Sequence, residues 1–396
     1  MVNKILVAAM AATFTAWLAP MTTARAEDNH IDTIRADAPA LAKYGQYAIG
    51  VKTIQLVNPK QLDIARAKAG EPIPTYDRPL TVEVWYPAKP AASVPGAGQY
   101  RVMARDPKSE VTLYGKAVRD ATADAAGGPY PLLIISHGYP GNRFLLSHLG
   151  ENLASKGYVV ASIDHTDSTY GDQGAFGSTL LNRPLDQMFV LNEMARLNAG
   201  EPSDASKGAF KGMVNADATG LIGYSMGGYG LVNSIGGGFA AGVVNSPLAP
   251  PNGALATRQA GNPAYTASID RRIKAAVAFA PWGWTRGFWD AAGLAGIKTP
   301  VFFVAGSVDD VSGYSPGVRN IFEGSVNAQR YLLTFENANH NAGAPMPAPK
   351  EMWQPVPHMK VIPAEHYIDP VWDNARMNNI AQHFATAFLG KFLKND

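Results

Sequence analysis

At residues 219–228 the sequence reads Thr-Gly-Leu-Ile-Gly-Tyr-Ser-Met-Gly-Gly. An apolar run that ends in Gly-x-Ser-x-Gly and leads into a helix predicts a serine on a sharp strand-to-helix turn, with its hydroxyl exposed at the end of the strand. Gly223 and Gly227 flank Ser225 because larger side chains would collide with backbone in so tight a turn. The helix predicted to follow, toward Ser234, presents an N-terminus that favours negative charge beside the serine. Ser225 is therefore predicted to be a catalytic nucleophile.

Short apolar runs without alternation recur on both sides of this stretch, at 132–136, 158–163, 219–222, 275–279, 301–305 and 331–335. Such runs are typical of strands that are buried on both faces of a parallel sheet. Helical patterns lie between them and after the last one, at 144–156, 185–197 and 375–392. The alternation predicts an α/β fold with a mostly parallel, doubly wound sheet and helices on both faces.

Two segments rich in β-forming residues precede these units, at 46–56 and 80–86. They predict antiparallel strands that open the sheet, with a helical piece near 60–69 between them. Two further segments, 239–269 and 341–370, are predicted to be loop insertions near the active site, and loops of this length in a compact domain are usually functional or disordered. Arg258 is the only charged residue in the first of them, which favours a packed loop over a disordered one.

The first 26 residues have the pattern of a secretory signal peptide. Lys4 precedes an apolar run at 5–18, which is shorter than the roughly 20 residues that span a bilayer, and Ala24-Arg25-Ala26 has small residues where a signal peptidase cleaves. We expect cleavage after Ala26, a single domain at 27–396, and a secreted or periplasmic monomer with no stable membrane insertion. The alternative, an N-terminal helix of the domain, remains open.

Composition excludes several classes of protein. The formal net charge is +2, which provides no basic surface for nucleic acid. The chain has no cysteine, which excludes disulfides, thiolate metal sites and a cysteine nucleophile.

A serine nucleophile needs a base, normally a histidine. His340 follows the last predicted strand, where the chain order Ser, Asp, His places the base. His358 and His366, in the proline-rich loop, are alternatives. For the acid that orients the imidazole, the turn after the 301–305 strand offers Asp309 and Asp310; Asp309 is favoured, and only one of the two can point inward.

The oxyanion of an acyl-transfer reaction needs N–H donors that already point toward it. Met226, the residue after the nucleophile, is predicted to supply one. The second is assigned to the Tyr139 N–H in the loop His137-Gly138-Tyr139-Pro140-Gly141, which follows the first predicted parallel strand. His137 is expected to be structural.

The segment 281–289 is rich in aromatic residues, Trp282, Trp284, Phe288 and Trp289. They are predicted either to form a wall of the substrate pocket or to lie in the core beneath the long loops. The acidic segment 164–172, with Asp164, His165, Asp167 and Asp172, could be interpreted as a metal site. It lacks the spacing of a calcium loop, so hydrogen bonds that order the loop are preferred and no metal is expected.

At these motifs the chain resembles the α/β-hydrolase superfamily, in particular bacterial relatives of dienelactone hydrolases and platelet-activating-factor acetylhydrolase-like esterases, over about 47–392. The residues concerned are those at 137–141, 163–168, 223–228, 306–311 and 339–341. Acetylhydrolases place their acid after the strand that precedes the aromatic segment. Here Ala278 to Trp282 contain no acid, so the resemblance implies Asp309, as in most of the superfamily.

The sequence therefore predicts a serine hydrolase that cleaves small carboxylic esters through an acyl-enzyme, without a cofactor. Cleavage of polyesters, amides or peptides is the alternative within enzymes. A hydrolase-fold binding protein without catalysis is the alternative from another class.

Overall fold

The computed structural model describes residues 29–90, 97–174, 176–201 and 208–396. The predicted signal peptide at 1–26 lies outside the described residues.

The described residues form eleven strands, β1 Ala48–Leu62, β2 Thr75–Ala88, β3 Gln99–Met103, β4 Glu110–Tyr114, β5 Val118–Arg119, β6 Tyr130–Ser136, β7 Val159–Asp164, β8 Val214–Tyr224, β9 Ile273–Phe279, β10 Val301–Gly306 and β11 Arg330–Phe335. Eight α-helices accompany them, α1 Ser147–Ala154, α2 Phe176–Ala199, α3 Met226–Ser234, α4 Ala241–Val244, α5 Pro263–Ala267, α6 Ala291–Leu294, α7 Arg319–Gly324 and α8 Asn374–Leu393. None of the described helices is long and apolar enough to cross a membrane.

Nine strands form the main sheet in the order β11-β10-β9-β8-β6-β7-β2-β1-β5. The six strands from β11 to β7 in this order are parallel to one another. β2 pairs antiparallel with β7, and β1 pairs antiparallel with β2. The predicted α/β class, with its mostly parallel sheet and antiparallel opening strands, is confirmed.

Two apolar layers cover the two faces of the sheet, which explains the uninterrupted apolar runs. In β6, Leu132 and Ile134 pack into the layer that contains buried residues of α2 and α3. Leu133 and Ile135 point to the other face and pack with α1 and α8. All four side chains are completely buried. A strand between two layers of helices has no solvent face, so it has no need of alternating polar residues.

The prediction of a helical piece near 60–69 is wrong except for one turn. β1 continues to Leu62 because Gln61 and Leu62 still pair with β2, after an irregularity at Asn58. Only Ile64–Arg66 forms a 3₁₀ turn, in which the Asp63 side chain accepts a hydrogen bond from the Arg66 N–H.

The segment 239–269 is packed, as expected. It contains α4, α5 and the 3₁₀ turn Ala254–Arg258, and it buries Phe239, Leu255 and Tyr265. Arg258 is buried with them, donates to the Asn233 side-chain oxygen, and lies 5.2 Å from the centre of the Tyr265 ring. The only charged residue of the segment thus fixes it against α3.

Helix α2 begins at Phe176, well before the start of the predicted helix at 185–197, and Pro184 lies inside it. Proline has no N–H, so the carbonyl of Leu180, four residues earlier, loses its helical donor. The Tyr229 hydroxyl of α3 donates to this carbonyl at 3.0 Å. A tertiary contact therefore replaces the missing helical bond and joins α2 to α3.

Tyr229→Phe should destabilise the protein by about 1–3 kcal/mol because it leaves the buried Leu180 carbonyl without a donor. The loss should shrink in a Pro184→Ala background, where residue 184 regains an N–H. Urea unfolding of the wild type, Tyr229→Phe, Pro184→Ala and the double variant measures the coupling free energy between the two positions. Tyr331→Phe, at an exposed tyrosine, is the control and should change stability by less than about 0.5 kcal/mol. Equal losses in both backgrounds would contradict the interpretation.

Candidate active site

Ser225 lies in the turn between β8 and α3 with φ 53° and ψ −112°. This conformation is strained for a residue with a side chain and requires support from its surroundings. The support is a very close backbone approach: a Cβ on Gly227 would lie 1.9 Å from the Ser136 carbonyl oxygen of β6. A Cβ on Gly223 would lie 2.4 Å from the Gly227 carbonyl oxygen. Glycine is therefore required at both positions, and the turn has the geometry predicted from the motif.

Ser225, His340 and Asp309 form one hydrogen-bonded chain. His340 Nε2 lies 3.0 Å from Ser225 Oγ, and His340 Nδ1 lies 3.0 Å from both carboxylate oxygens of Asp309. With Nδ1–H donating to Asp309, the neutral imidazole presents Nε2 to the serine as an acceptor. The side chain of Asp309 is completely buried and that of His340 is 12% exposed.

The turn after β10 determines which aspartate points inward. Asp309 Oδ1 accepts hydrogen bonds from the backbone N–H groups of Val311 and Ser312, at 2.9 and 2.8 Å. Burial alone would raise the pKa of Asp309. The hydrogen bond from His340, the attraction of the His340 ring when it is protonated, and these backbone donors hold the pKa below its usual value. The Asp310 side chain is exposed.

Asn339, to which the sequence analysis assigned no role of its own, connects the acid and base loops. Its side-chain oxygen accepts from the backbone N–H of Asp310 at 2.9 Å and from that of His340 at 2.8 Å. It thereby sets the distance between the turns after β10 and β11. An asparagine beside a histidine at the end of a strand was the only sequence signal for this contact.

The loop 137–141 lies beside the serine. A Cβ on Gly138 would be 3.5 Å from the Ser225 Cβ, and Tyr139 lines the same cavity as Ser225 and His340. Among the described residues, no hydrogen-bond acceptor is recorded for the backbone N–H of Tyr139 or of Met226. Tyr139 thus lines the cavity at Ser225, Met226 follows Ser225 directly, and neither N–H has an acceptor in the part of the chain that the structure describes.

A cavity of about 570 Å³ opens at Ser225. The base and its neighbours form one side, and the proline-rich segment supplies the other with Ile362, Glu365, His366, Ile368 and Pro370. Asn341 fastens this segment, because its amide donates to the carbonyls of Glu365 and Ile368, while its oxygen accepts from the Tyr224 hydroxyl. The 341–370 insertion therefore shapes the pocket.

The four predicted substrate-binding aromatics do not line this cavity. Phe288 and Trp289 are buried and pack around Tyr229 at ring distances of 5.0 and 5.7 Å. For these two the pocket-wall prediction is wrong, because the chain folds them into the layer under α3. Trp282 and Trp284 are half-buried against the same layer.

Neither alternative histidine is bonded to the serine. His358 Nε2 lies 3.0 Å from Asp106. His366 lines the cavity, but its ring packs against Tyr170 and Tyr367, and burial lowers its pKa to about 3.

The acidic segment 164–172 is held by ordering contacts. Asp164 pairs with Arg143, Asp167 pairs with Arg78 at 3.1 Å, and Asp172 accepts from the Asp167 N–H at 2.9 Å. No group of three or more potential metal-ligating side chains occurs in the described part of the chain.

Comparison with known proteins gives local sequence matches and a global match of fold. The family model for platelet-activating factor acetylhydrolase, isoform II, matches residues 72–187. The platelet-activating factor acetylhydrolase of Bos taurus is 34% identical over 93 residues, 20% of this chain and 21% of that protein. Cutinase est2 of Thermobifida alba is 36% identical over 101 residues, 26% of this chain and 28% of that protein. The chain thus spans between a fifth and three tenths of the lengths of these curated relatives.

A ferulic acid esterase from Streptomyces cinnamoneus has a solved structure that superposes with a TM-score of 0.55, covering 93% of this chain and 94% of that one at 21% identity. This chain has the α/β-hydrolase fold. The predicted resemblance to acetylhydrolases is confirmed, and the matching family model covers residues 72–187. That segment contains the loop 137–141 but not Ser225, Asp309 or His340.

Asp309→Asn should lower kcat by roughly 10⁴-fold, because an amide in place of the carboxylate no longer stabilises the charged imidazole or selects its tautomer. Asp310→Asn, at the adjacent exposed carboxylate, is the matched control and should keep kcat within about threefold. Steady-state kinetics of both variants on a short nitrophenyl ester measures the difference. The reverse order of effects would assign the acid to Asp310.

Proposed function

We propose that this protein is a serine hydrolase that cleaves small carboxylic esters through an acyl-enzyme intermediate. The observation that carries the proposal is the unbroken hydrogen-bonded chain from Ser225 Oγ through His340 to the buried Asp309 carboxylate. It opens into a cavity that is also lined by Tyr139. The names of the similar proteins, an acetylhydrolase, a cutinase and a ferulic acid esterase, support ester bonds as the target.

In the proposed reaction, Ser225 Oγ attacks the ester carbonyl carbon while His340 Nε2 takes the hydroxyl proton. Asp309 accepts the hydrogen bond from Nδ1–H and stabilises the imidazolium. The carbonyl oxygen becomes an oxyanion, which the N–H groups of Tyr139 and Met226 stabilise. The intermediate collapses when the C–O bond to the alcohol breaks and His340 returns the proton to the leaving oxygen. Water then repeats the sequence on the acyl-enzyme and releases the acid.

A second candidate is cleavage of polymeric esters. The similarity to a cutinase over 101 residues favours it. Turnover of a suspended polyester compared with a soluble short ester distinguishes the two substrate classes.

The variants Ser225→Ala and His340→Ala should each have a kcat that is lower by roughly 10⁴–10⁶-fold. The kcat of the double variant should be hardly lower than that of either single variant, because the residues of a triad act as a unit. Thermal unfolding checks that the variants fold. A serine-reactive phosphonate should label the wild type at Ser225, as peptide mass spectrometry would show. Multiplying effects in the double variant, or labelling elsewhere, would refute the assignment.

We further propose that the protein is exported as a monomer and loses residues 1–26. The supporting pattern is the short apolar run followed by Ala24-Arg25-Ala26. Mass spectrometry of protein from the periplasm and the culture medium should give Glu27 as the first residue. Membrane-bound protein that retains Met1 would contradict the proposal.

A further inference from the structure

A buried guanidinium lies directly behind the loop 137–141. Arg183, on α2, has no exposed surface. Its Nη2 donates to the Gly138 carbonyl at 3.0 Å and also to the Ser168 hydroxyl. Its Nη1 donates to the His137 carbonyl. Arg183 therefore binds two consecutive carbonyl groups of the loop that borders the serine.

One of these carbonyls belongs to the peptide unit that contains the proposed oxyanion donor. The Gly138 C=O and the Tyr139 N–H are parts of the same peptide, which is trans, so the two groups point in opposite directions. When Arg183 holds the C=O on the α2 side, the N–H is directed to the other side of the loop. Tyr139 is one of the residues that line the cavity together with Ser225.

The Gly138 carbonyl receives a second hydrogen bond, which fixes the plane of this peptide. His137 Nδ1 lies 2.6 Å from the same oxygen, and His137 Nε2 accepts from the His165 backbone N–H at 3.3 Å. Burial, together with the charge of Arg183, holds the pKa of His137 well below its usual range. The imidazole is therefore neutral, with Nδ1–H available to donate. A Cβ on Gly141 would lie 2.7 Å from His137 Nδ1, so the loop is tightly packed on the ring.

Arg183 has no carboxylate within ion-pair distance among the described residues. Asp186, one turn further along α2, is already bonded to Arg78 and His165. Burial lowers the pKa of Arg183 to about 9, so the guanidinium still carries its charge at neutral pH. Asp186 attracts the guanidinium but makes no direct ion pair with it. A buried charge held in this way costs stability compared with an apolar side chain of similar volume. A contribution of the Arg183 charge to catalysis would explain why the protein keeps a residue that lowers its stability.

We propose that Arg183 is a positioning residue, which orients the Gly138–Tyr139 peptide and polarises it so that the Tyr139 N–H is a stronger donor to the oxyanion. This inference rests on the proposed esterase function. Because the guanidinium binds the carbonyl end of the peptide, its charge draws electron density away from the nitrogen at the other end. The effect is needed only when the oxyanion forms, so it should appear in kcat rather than in substrate binding.

The test uses Arg183→Met and Arg183→Lys in the full-length enzyme, with a short nitrophenyl ester and a trifluoromethyl ketone. The ketone forms a hemiketal oxyanion with the serine and so reports on the donors directly. Arg183→Met should lower kcat by roughly 10²-fold, as loss of an oxyanion donor does, and raise the Ki of the ketone by a similar factor, with little change in KM. Arg183→Lys should lose less, because the ammonium keeps the charge but not the forked geometry.

Arg258→Met is the matched control, because Arg258 is also buried, forms no ion pair with a carboxylate among the described residues, and donates to Asn233 of α3 rather than to the loop 137–141. Its kcat and Ki should equal those of the wild type, whatever happens to its Tm. A folded Arg183→Met variant with unchanged kcat and Ki would overturn the inference, and the Arg183→Lys variant decides the question if the methionine variant does not fold. Equal kcat losses in the Arg183 and Arg258 variants would also overturn it, by showing a general structural effect. If the wild type neither hydrolyses esters nor binds the ketone, the proposed function fails and the inference fails with it.

Discussion

The contact between the turn at Ser225 and the end of β6 fixes the geometry of the whole site. The Cα of Gly227 approaches the Ser136 carbonyl so closely that a Cβ there would be 1.9 Å from the oxygen. This contact supports the positive φ of Ser225. Ser136 is also the residue before the loop that contains Tyr139, so the same contact sets the distance between the nucleophile and its proposed oxyanion donor. A side chain at position 227 would separate the two.

The other members of the site arrive at the same edge of the sheet because β8, β10 and β11 are parallel. Their carboxyl ends deliver residues that are far apart in the chain, and ligand sites in open α/β sheets usually form there. Backbone and side-chain hydrogen bonds then refine the positions. Asn339 joins the acid and base turns, and Asn341 fastens the pocket wall. The strands and the first residues of the loops that follow them therefore set the distances between Ser225, His340 and Asp309.

Beneath the loop 137–141 lies a buried polar layer that is unusual for a core. Ser136 Oγ lies 2.8 Å from His165 Nε2, and His165 Nδ1 lies 2.9 Å from Asp186, which also binds Arg78. Burial, reinforced by the charge of Arg183, lowers the pKa of His165 to about 3, so the imidazole is neutral. Interactions among such groups are stronger than in water because the surroundings are apolar and water is excluded. The layer therefore forms a rigid polar support behind the catalytic edge, while the apolar layers elsewhere supply most of the stability.

The α/β class, the turn at Ser225 and the base candidate His340 could be predicted from the amino-acid sequence. Each depends on a local pattern, which is an apolar run, a Gly-x-Ser-x-Gly turn or a polar residue just after a strand. For the acid, the sequence favoured Asp309 over Asp310 without excluding Asp310, and the backbone donors of the turn after β10 show that Asp309 points inward. Other features depended on which distant segments meet. Pro184 lies inside α2 because Tyr229 replaces the missing hydrogen bond, and Phe288 and Trp289 lie in the core because α3 covers them. The sequence analysis assigned no role to Arg183, which lies just before the predicted helix at 185–197. Only the packing of α2 against the loop 137–141 made it a buried partner of that loop, because hydrogen bonds between segments far apart in the chain leave no periodic or local signal in the sequence.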